Sequence, residues 1–298
     1  MSGPRSVRQL LDLGERVLAD STHIFEDHDN RREAEELLAL CHAVDVDDLD
    51  LDEEPRPPVR RRYLSLVARR AGGEPFPMLT GHIEFYGLDL KVRPGAFVPR
   101  PSSELTCARA ARRLRNRRAP VIVDVCTGAG PIALGIADEF PEADVWGADI
   151  DDEGLRQGRE NARRLGLDNV TFRRGDMFEA LPRRLRGTVD VITGHIPYVP
   201  PDEVEDLPSE VIDYEPAFML TDESADGLEL IRSAVAEAPE WLKPGGWMLL
   251  EVSEDLGAKL RRICRKAGLE DHGAASDSDR LSIVVEARKS RGGPRAAR

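Results

Sequence analysis

The run Val121-Ile-Val-Asp-Val-Cys-Thr-Gly-Ala-Gly130, followed at once by the helix-like stretch from Pro131 to Phe140, constrains this chain more than any other feature. An apolar strand carrying an acidic residue, then a glycine turn, then a helix start lets backbone N–H groups approach a nucleotide-like ligand. Further alternation follows: strand Ala143–Ile150, helix Glu153–Gly166, strands Val170–Gly175 and Val189–Thr193, helix Leu228–Leu242, strand Gly246–Val252 and helix Leu256–Gly268. Repeated units of this length predict an α/β fold, a parallel sheet with helices on both faces. The last strand, Leu281 to Ala287, follows a Ser/Asp turn and is expected to run antiparallel at the end of the sheet.

Upstream the period is different. Apolar residues Val7, Leu10, Leu11, Val17 and Leu18 share one helical face, and a second helix is expected from about Arg31 to Ala43. The acidic and then proline-rich segment Asp45 to Pro58 reads as a loop before a third helix around Arg60 to Arg70. From Thr80, alternation of Ile83, Phe85, Leu88, Leu90 and Val92 about Gly87 predicts a β-hairpin. Ser102 or Ser103 is placed to cap a helix running through Leu114. The expected organisation is a helical domain over 1–79, a hairpin linker over 80–101, a catalytic domain over 102–288 and a basic, disordered tail over 289–298.

Charge narrows the partners. A formal net charge of −13 argues against a surface that tracks nucleic-acid phosphates or an anionic membrane. Cys41, Cys107, Cys126 and Cys264 are widely spaced, so neither a disulfide framework nor a zinc site is suggested. The first twenty residues contain charges where a signal peptide is apolar, and no apolar run reaches the ~18 residues that span a bilayer. The expected location is cytoplasmic.

Gly128-Ala-Gly130-Pro-Ile-Ala133 fits the dinucleotide pattern, and Asp149, at the end of the next strand, suits a ribose hydroxyl in either an NAD or an S-adenosylmethionine (AdoMet) site. Downstream features favour AdoMet. Gly175-Asp176 closes the third strand, where an Asp can reach an adenine edge. Gly194-His-Ile-Pro-Tyr198 closes the fourth, where a methyl acceptor would lie, and Lys243-Pro-Gly-Gly246 adds a turn common in methyltransferase sheets.

These residues resemble the release-factor glutamine methyltransferases (PrmC/HemK). The likeness runs through the three-helix start, Leu79-Thr-Gly81, Phe85-Tyr-Gly-Leu88, Pro99-Arg-Pro101 with Glu104, the Asp124 to Gly130 loop, Asp149-Ile150, Gly175-Asp176 with Phe178, Glu215-Pro216, Asp226-Gly-Leu228 and Asp279-Arg280. The resemblance implies a Rossmann-like AdoMet-dependent methyltransferase sheet with an N-terminal helical substrate-recognition domain. It also implies a cofactor set of Asp124, Thr127, Gly128, Gly130, Asp149, Ile150, Asp176, Met177 and His195. The acceptor site would be His195, Pro197 and Tyr198.

One departure stands out: the family's acceptor motif is Asn-Pro-Pro-Tyr, and this chain has His195-Ile196-Pro197-Tyr198. In the family pattern the Asn side-chain oxygen accepts a proton of the glutamine amide, which histidine cannot copy. Neutral His195 offers one nitrogen acceptor and can take a proton, suiting an acceptor that loses one on methylation. The segment from Pro201 to Glu229 adds eleven acidic residues and no Lys or Arg, with Glu203, Glu210, Asp213 and Glu215 as candidate contacts to a cationic substrate. The expected activity is AdoMet-dependent N-methylation of a small substrate, such as the guanidinium of free arginine, in specialised metabolism. Methylation of a release-factor glutamine is the alternative, and a non-catalytic AdoMet- or partner-binding protein a third. A homodimer is compatible with the helical surface.

Overall fold

The computed structural model describes residues 6–24, 29–276 and 282–292. Asp279-Arg280, Leu281 and the end of the basic tail lie outside these residues. The chain forms two compact units: the residues up to His82 with Val92–Pro94 and Glu205–Glu215, and Ile83–Lys91 with Gly95–Val204 and the residues from Pro216 onward. The acidic segment after the acceptor motif is therefore divided between them.

In the first unit, α1 (Val7–Ala19), α2 (Asn30–His42) and α3 (Pro57–Ala71) pack around Leu10, Leu11, Leu37, Leu38, Tyr63 and Val67. Helix α3 starts earlier than its apolar stripe suggests, because prolines fit the first helical turn, whose N–H groups have no helical acceptor. Gly14 is required where α1 meets α3: a Cβ there would lie 1.9 Å from the Tyr63 hydroxyl oxygen. Arg70, fully buried, donates from Nε and Nη2 to Glu33 at 2.8 and 3.1 Å, and from Nη1 to Glu210 at 2.8 Å. Losing one member of so buried a cluster costs about 3–5 kcal/mol, so the cluster anchors the segment around Glu210 to this unit. A short α4 (Phe76–Thr80) completes it.

The hairpin forms as expected, with β1 (His82–Phe85) and β2 (Leu88–Lys91) joined through Tyr86 and Gly87, both at positive φ. Helix α5 (Glu104–Leu114) follows. The expected serine cap is not made: Ser103 has no side-chain capping bond, and Ser102 donates to Glu251 at 2.8 Å instead. Then come β3 (Val121–Val125), α6 (Pro131–Glu139), β4 (Asp144–Asp149), α7 (Asp152–Leu165), β5 (Val170–Arg174), β6 (Val189–Gly194), α8 (Ser209–Ile212, in the first unit), α9 (Glu229–Trp241), β7 (Leu242–Ser253), α10 (Gly257–Lys266), β8 (Glu270–Ser276) and β9 (Ser282–Arg288).

The seven-stranded sheet has the order β5-β4-β3-β6-β7-β9-β8. Strands β3 to β7 are parallel, and β9 runs antiparallel to both β7 and β8. Strand β9 is thus antiparallel as expected, yet it is not the edge. The edge strand, β8, has no counterpart among the elements expected from sequence. Its sequence, Glu-Asp-His-Gly-Ala-Ala-Ser, lacks β-branched and large apolar residues, because an edge strand with alternate residues exposed needs few of them. The Lys243–Gly246 turn is absorbed into β7 as an irregularity, with Val189 paired to Leu242 and Val191 already to Trp247. One core joins α9 and α10 to the sheet through Val235, Trp241 and Leu260; the other joins α5, α6 and α7 through Leu114, Ile132 and Leu155.

Candidate active site

Strand β3 ends in the residues that shape the loop. Asp124 is 1% exposed and accepts from the hydroxyls of Thr127 (2.5 Å) and, across to β6, Thr193 (2.7 Å). Burial pushes its pKa up to about 6, aided by the negative charges of Asp149 and Glu251 and opposed by the two hydroxyls. The loop then turns through Cys126, Gly128 and Gly130 at φ 53°, 55° and 78°. A Cβ on Gly130 would lie 2.4 Å from Phe172, whereas one on Gly128 would meet nothing nearer than 3.9 Å. Gly130 is thus required by packing, and Gly128 leaves open space beside the backbone.

Asp149, at the tip of β4, accepts from the backbone N–H of Gly128 at 2.7 Å and of Asp151 at 2.9 Å, one bond to each oxygen. A carboxylate has about four lone-pair sites, so each oxygen can accept again. Burial raises its pKa against these bonds. Beside it Ile150 is 52% exposed, an apolar side chain held in the open at a strand end. After β5, Asp176 is exposed and Met177 is buried with φ 39°.

Asp124, Thr127, Gly128 and Asp149 are therefore brought together by direct hydrogen bonds. An open glycine loop, a ribose-competent carboxylate and an exposed apolar side chain fit a nucleoside-bearing cofactor. The accumulation of carboxylates, with Asp149 and Glu251 adding to the rise at Asp124 and Asp151 to that at Asp149, fits a cationic sulfonium and disfavours the pyrophosphate of a dinucleotide.

The acceptor motif leaves β6 at Gly194, where a Cβ would lie 2.9 Å from the Val125 carbonyl oxygen. Ile196 is buried, and the rings of His195 and Tyr198 stack at 5.8 Å with an interplanar angle of 20°. Phe97 meets His195 edge-on at 5.8 Å and carries the Arg100 guanidinium 4.5 Å above its ring. Burial pushes the Tyr198 hydroxyl up to about 12. Gly227, at φ 62°, passes beneath this loop; a Cβ there would lie 2.3 Å from the Tyr198 carbonyl oxygen.

Sequence reasoning missed Glu251. It is fully buried in β7, with Oε1 accepting from Ser102 (2.8 Å) and Ser282 (3.0 Å) and Oε2 from Thr106 (3.4 Å). His195 Nδ1 lies 3.7 Å from Oε2. Burial alone would raise the pKa of Glu251, but His195 and the hydroxyls of Ser103, Ser102 and Ser282 outweigh it and hold the carboxyl below its ordinary value. The available signal is one charged residue inside the apolar run Trp-Met-Leu-Leu-Glu-Val.

The acidic candidates are dispersed. Glu203 is exposed in the second unit, while Glu210, Asp213 and Glu215 belong to the first, where Glu210 pairs with Arg70, Asp213 is exposed and Glu215 is buried. Asp226 pairs with Arg232 and Lys259, and Asp222 accepts from the N–H of Leu230 and Ser224. Much of this acidic run therefore neutralises or organises the chain itself.

Among the described residues no helix is long and apolar enough to cross a membrane. A methyltransferase-domain family model matches residues 117–284. The chain is 37% identical over 269 residues to a release factor glutamine methyltransferase of Streptomyces coelicolor, covering 86% of this chain and 91% of that one. It is 34% identical over 247 residues to a 4-amino-L-phenylalanine/4-methylamino-L-phenylalanine methyltransferase of Streptomyces pristinaespiralis, covering 81% and 82%. In structure it resembles a methyltransferase from Pyrococcus furiosus, with a TM-score of 0.50 at 20% identity over 68% of this chain and 90% of that one, a likeness of fold. The chain thus belongs to the release factor glutamine methyltransferase family and is an AdoMet-dependent N-methyltransferase.

Proposed function

We propose that this enzyme methylates a side-chain nitrogen of a small amino-acid-like substrate, one that carries a proton to be lost, with the guanidinium of free arginine as the candidate acceptor. The observation that supports this reading is the imidazole of His195, stacked on Tyr198, at the position where the family motif has an asparagine amide. An asparagine oxygen orients a neutral amide; an imidazole also accepts a proton.

AdoMet supplies a methyl made electrophilic by its sulfonium. In this reading Asp149 takes the ribose hydroxyls with its remaining lone pairs. Asp176 takes the adenine edge, with Ile150 and Met177 along the ring. Asp124, Thr127, Gly128 and Gly130 border the amino-acid end, and the His195 backbone closes the site. Pro197 and Tyr198 hold the acceptor nitrogen in line, and His195 receives its proton; positioning of this kind supplies much of the rate. Of the carboxylates expected to attract a cation, Glu203, exposed in the same unit as His195, remains a candidate, and Glu210 is already neutralised by Arg70.

The second reading, methylation of a release-factor glutamine, is supported by the name of the Streptomyces coelicolor relative and by retention of Pro197 and Tyr198. The test is labelled AdoMet with purified enzyme and, in parallel, free arginine, 4-amino-phenylalanine and a release factor. Label on a free amino acid is expected; label on the release factor alone overturns the proposal. His195→Ala is expected to lower kcat by roughly 100-fold or more while leaving AdoMet affinity nearly unchanged by calorimetry; equal losses would reject an acceptor-side role.

A further inference from the structure

We propose that Glu251 is a positioning residue for His195: its carboxylate, fixed by hydroxyls from two distant segments of the chain, holds the imidazole by Nδ1 so that Nε2 is the nitrogen presented to the acceptor. The inference deepens the functional reading above and rests on it. It stands on how the two carboxylate oxygens are used. Oε1 accepts two short bonds, from Ser102 ahead of α5 and Ser282 at the start of β9, while Oε2 accepts the long Thr106 contact and faces His195 Nδ1 at 3.7 Å. That distance is within ion-pair range and longer than a hydrogen bond, as catalytic contacts often are before substrate tightens them.

The ring itself is held on both sides. Tyr198 stacks on one face and Phe97 meets it edge-on, so the imidazole has little freedom to turn its other nitrogen toward Glu251. A carboxylate beside Nδ1 favours the Nδ1–H tautomer, which leaves the lone pair on Nε2, the nitrogen on the far edge of the ring. Among the described residues Nε2 has no hydrogen-bond partner. The other charged groups near the ring and its partners are Asp124, which interacts with Glu251 from β3, and Arg100 and Asp255, which act on Tyr198.

In the step this arrangement serves, the acceptor nitrogen's lone pair forms the new N–C bond as the methyl's bond to sulfur breaks and its electron pair stays on sulfur. The displaced N–H proton passes to Nε2. The resulting imidazolium is then balanced by Glu251, and the proton leaves to solvent when product departs.

The test is Glu251→Gln, which keeps the shape and the hydroxyl contacts but replaces the carboxylate by an amide that can donate to Nδ1. The first readout needs neither cofactor nor substrate: the nitrogen chemical shifts of His195 in the free protein, with the resonance identified by its absence in His195→Asn. The wild type is expected to hold the Nδ1–H tautomer and Glu251→Gln to lose that preference, with Glu251→Asp recovering it in part. The second readout is kinetic: Glu251→Gln should lower kcat by roughly tenfold or more with AdoMet Kd within about twofold. The same tautomer in wild type and Glu251→Gln, or kcat and AdoMet binding falling together, overturns the proposal. A tautomer that shifts as expected in an enzyme that methylates only a release factor assigns the failure to the functional reading, not to the pairing of Glu251 with His195.

Discussion

Asp124 is a buried carboxylate whose nearest polar contacts are two threonine hydroxyls, and Asp124→Asn should stabilise the second unit at neutral and alkaline pH. The rise of its pKa from 3.8 to about 6 corresponds to about 3 kcal/mol of native-state destabilisation when the group is ionised. An acid whose folded pKa lies above its unfolded value is favoured by the fold in its protonated form. The cost is absent below about pH 3, grows as pH rises through the unfolded value of 3.8 toward 6, and is complete above that window. Asparagine is neutral throughout, and both contacts survive it, since the hydroxyls of Thr127 and Thr193 can accept as well as donate.

The assay is urea unfolding of wild type and Asp124→Asn without cofactor, followed by tryptophan fluorescence. Trp146, Trp241 and Trp247 all lie in the second unit, so the signal reports that unit. The variant should be more stable by about 1–3 kcal/mol near pH 8, with the gain shrinking to about a third of that near pH 4.5. A variant less stable near pH 8, or a gain that does not shrink on acidification, would refute the electrostatic account. AdoMet affinity should move the other way, because a charge kept at a cost to stability marks a site where binding needs it.

Two further outcomes follow from the same geometry. Asp149→Ala removes the acceptor of the Gly128 and Asp151 N–H groups as well as the proposed ribose contact; calorimetry should show AdoMet binding weakened by roughly tenfold or more, with a smaller change in kcat at saturating cofactor. Gly227→Ala places a methyl 2.3 Å from the Tyr198 carbonyl at a positive φ, so it should cost about 1–3 kcal/mol in thermal or urea unfolding and depress turnover. Unchanged activity with unchanged stability would mean that the acceptor loop does not need this close approach.

Legibility in the sequence followed the range of the interactions involved. The β3-turn-α6 unit, Asp149 at the next strand tip and the hairpin about Gly87 depend on neighbours a few residues away, and each formed where periodicity and turn residues place it. Ser102 was misread as a helix cap because its local context allows one; its partner, Glu251, is 149 residues distant. Strand β8 was missed because an edge strand has too little burial to require a recognisable pattern. Glu210 could be read only as one member of an acidic run, although it closes the cluster around Arg70.

The sequence by itself determined the alternating architecture, the cofactor loop and the departure at His195, because these lie in residue identity and short-range periodicity. Only the tertiary structure decided what surrounds that histidine. Glu251 comes from β7, Ser102 from ahead of α5, Ser282 from β9 and Phe97 from the loop before α5, and no spacing in the chain encodes their meeting. The parallel order β3-β6-β7 brings the ends of distant segments side by side, and at that buried junction the hydroxyls that fix the Glu251 carboxylate, together with the low local polarity, set its strength beside the imidazole.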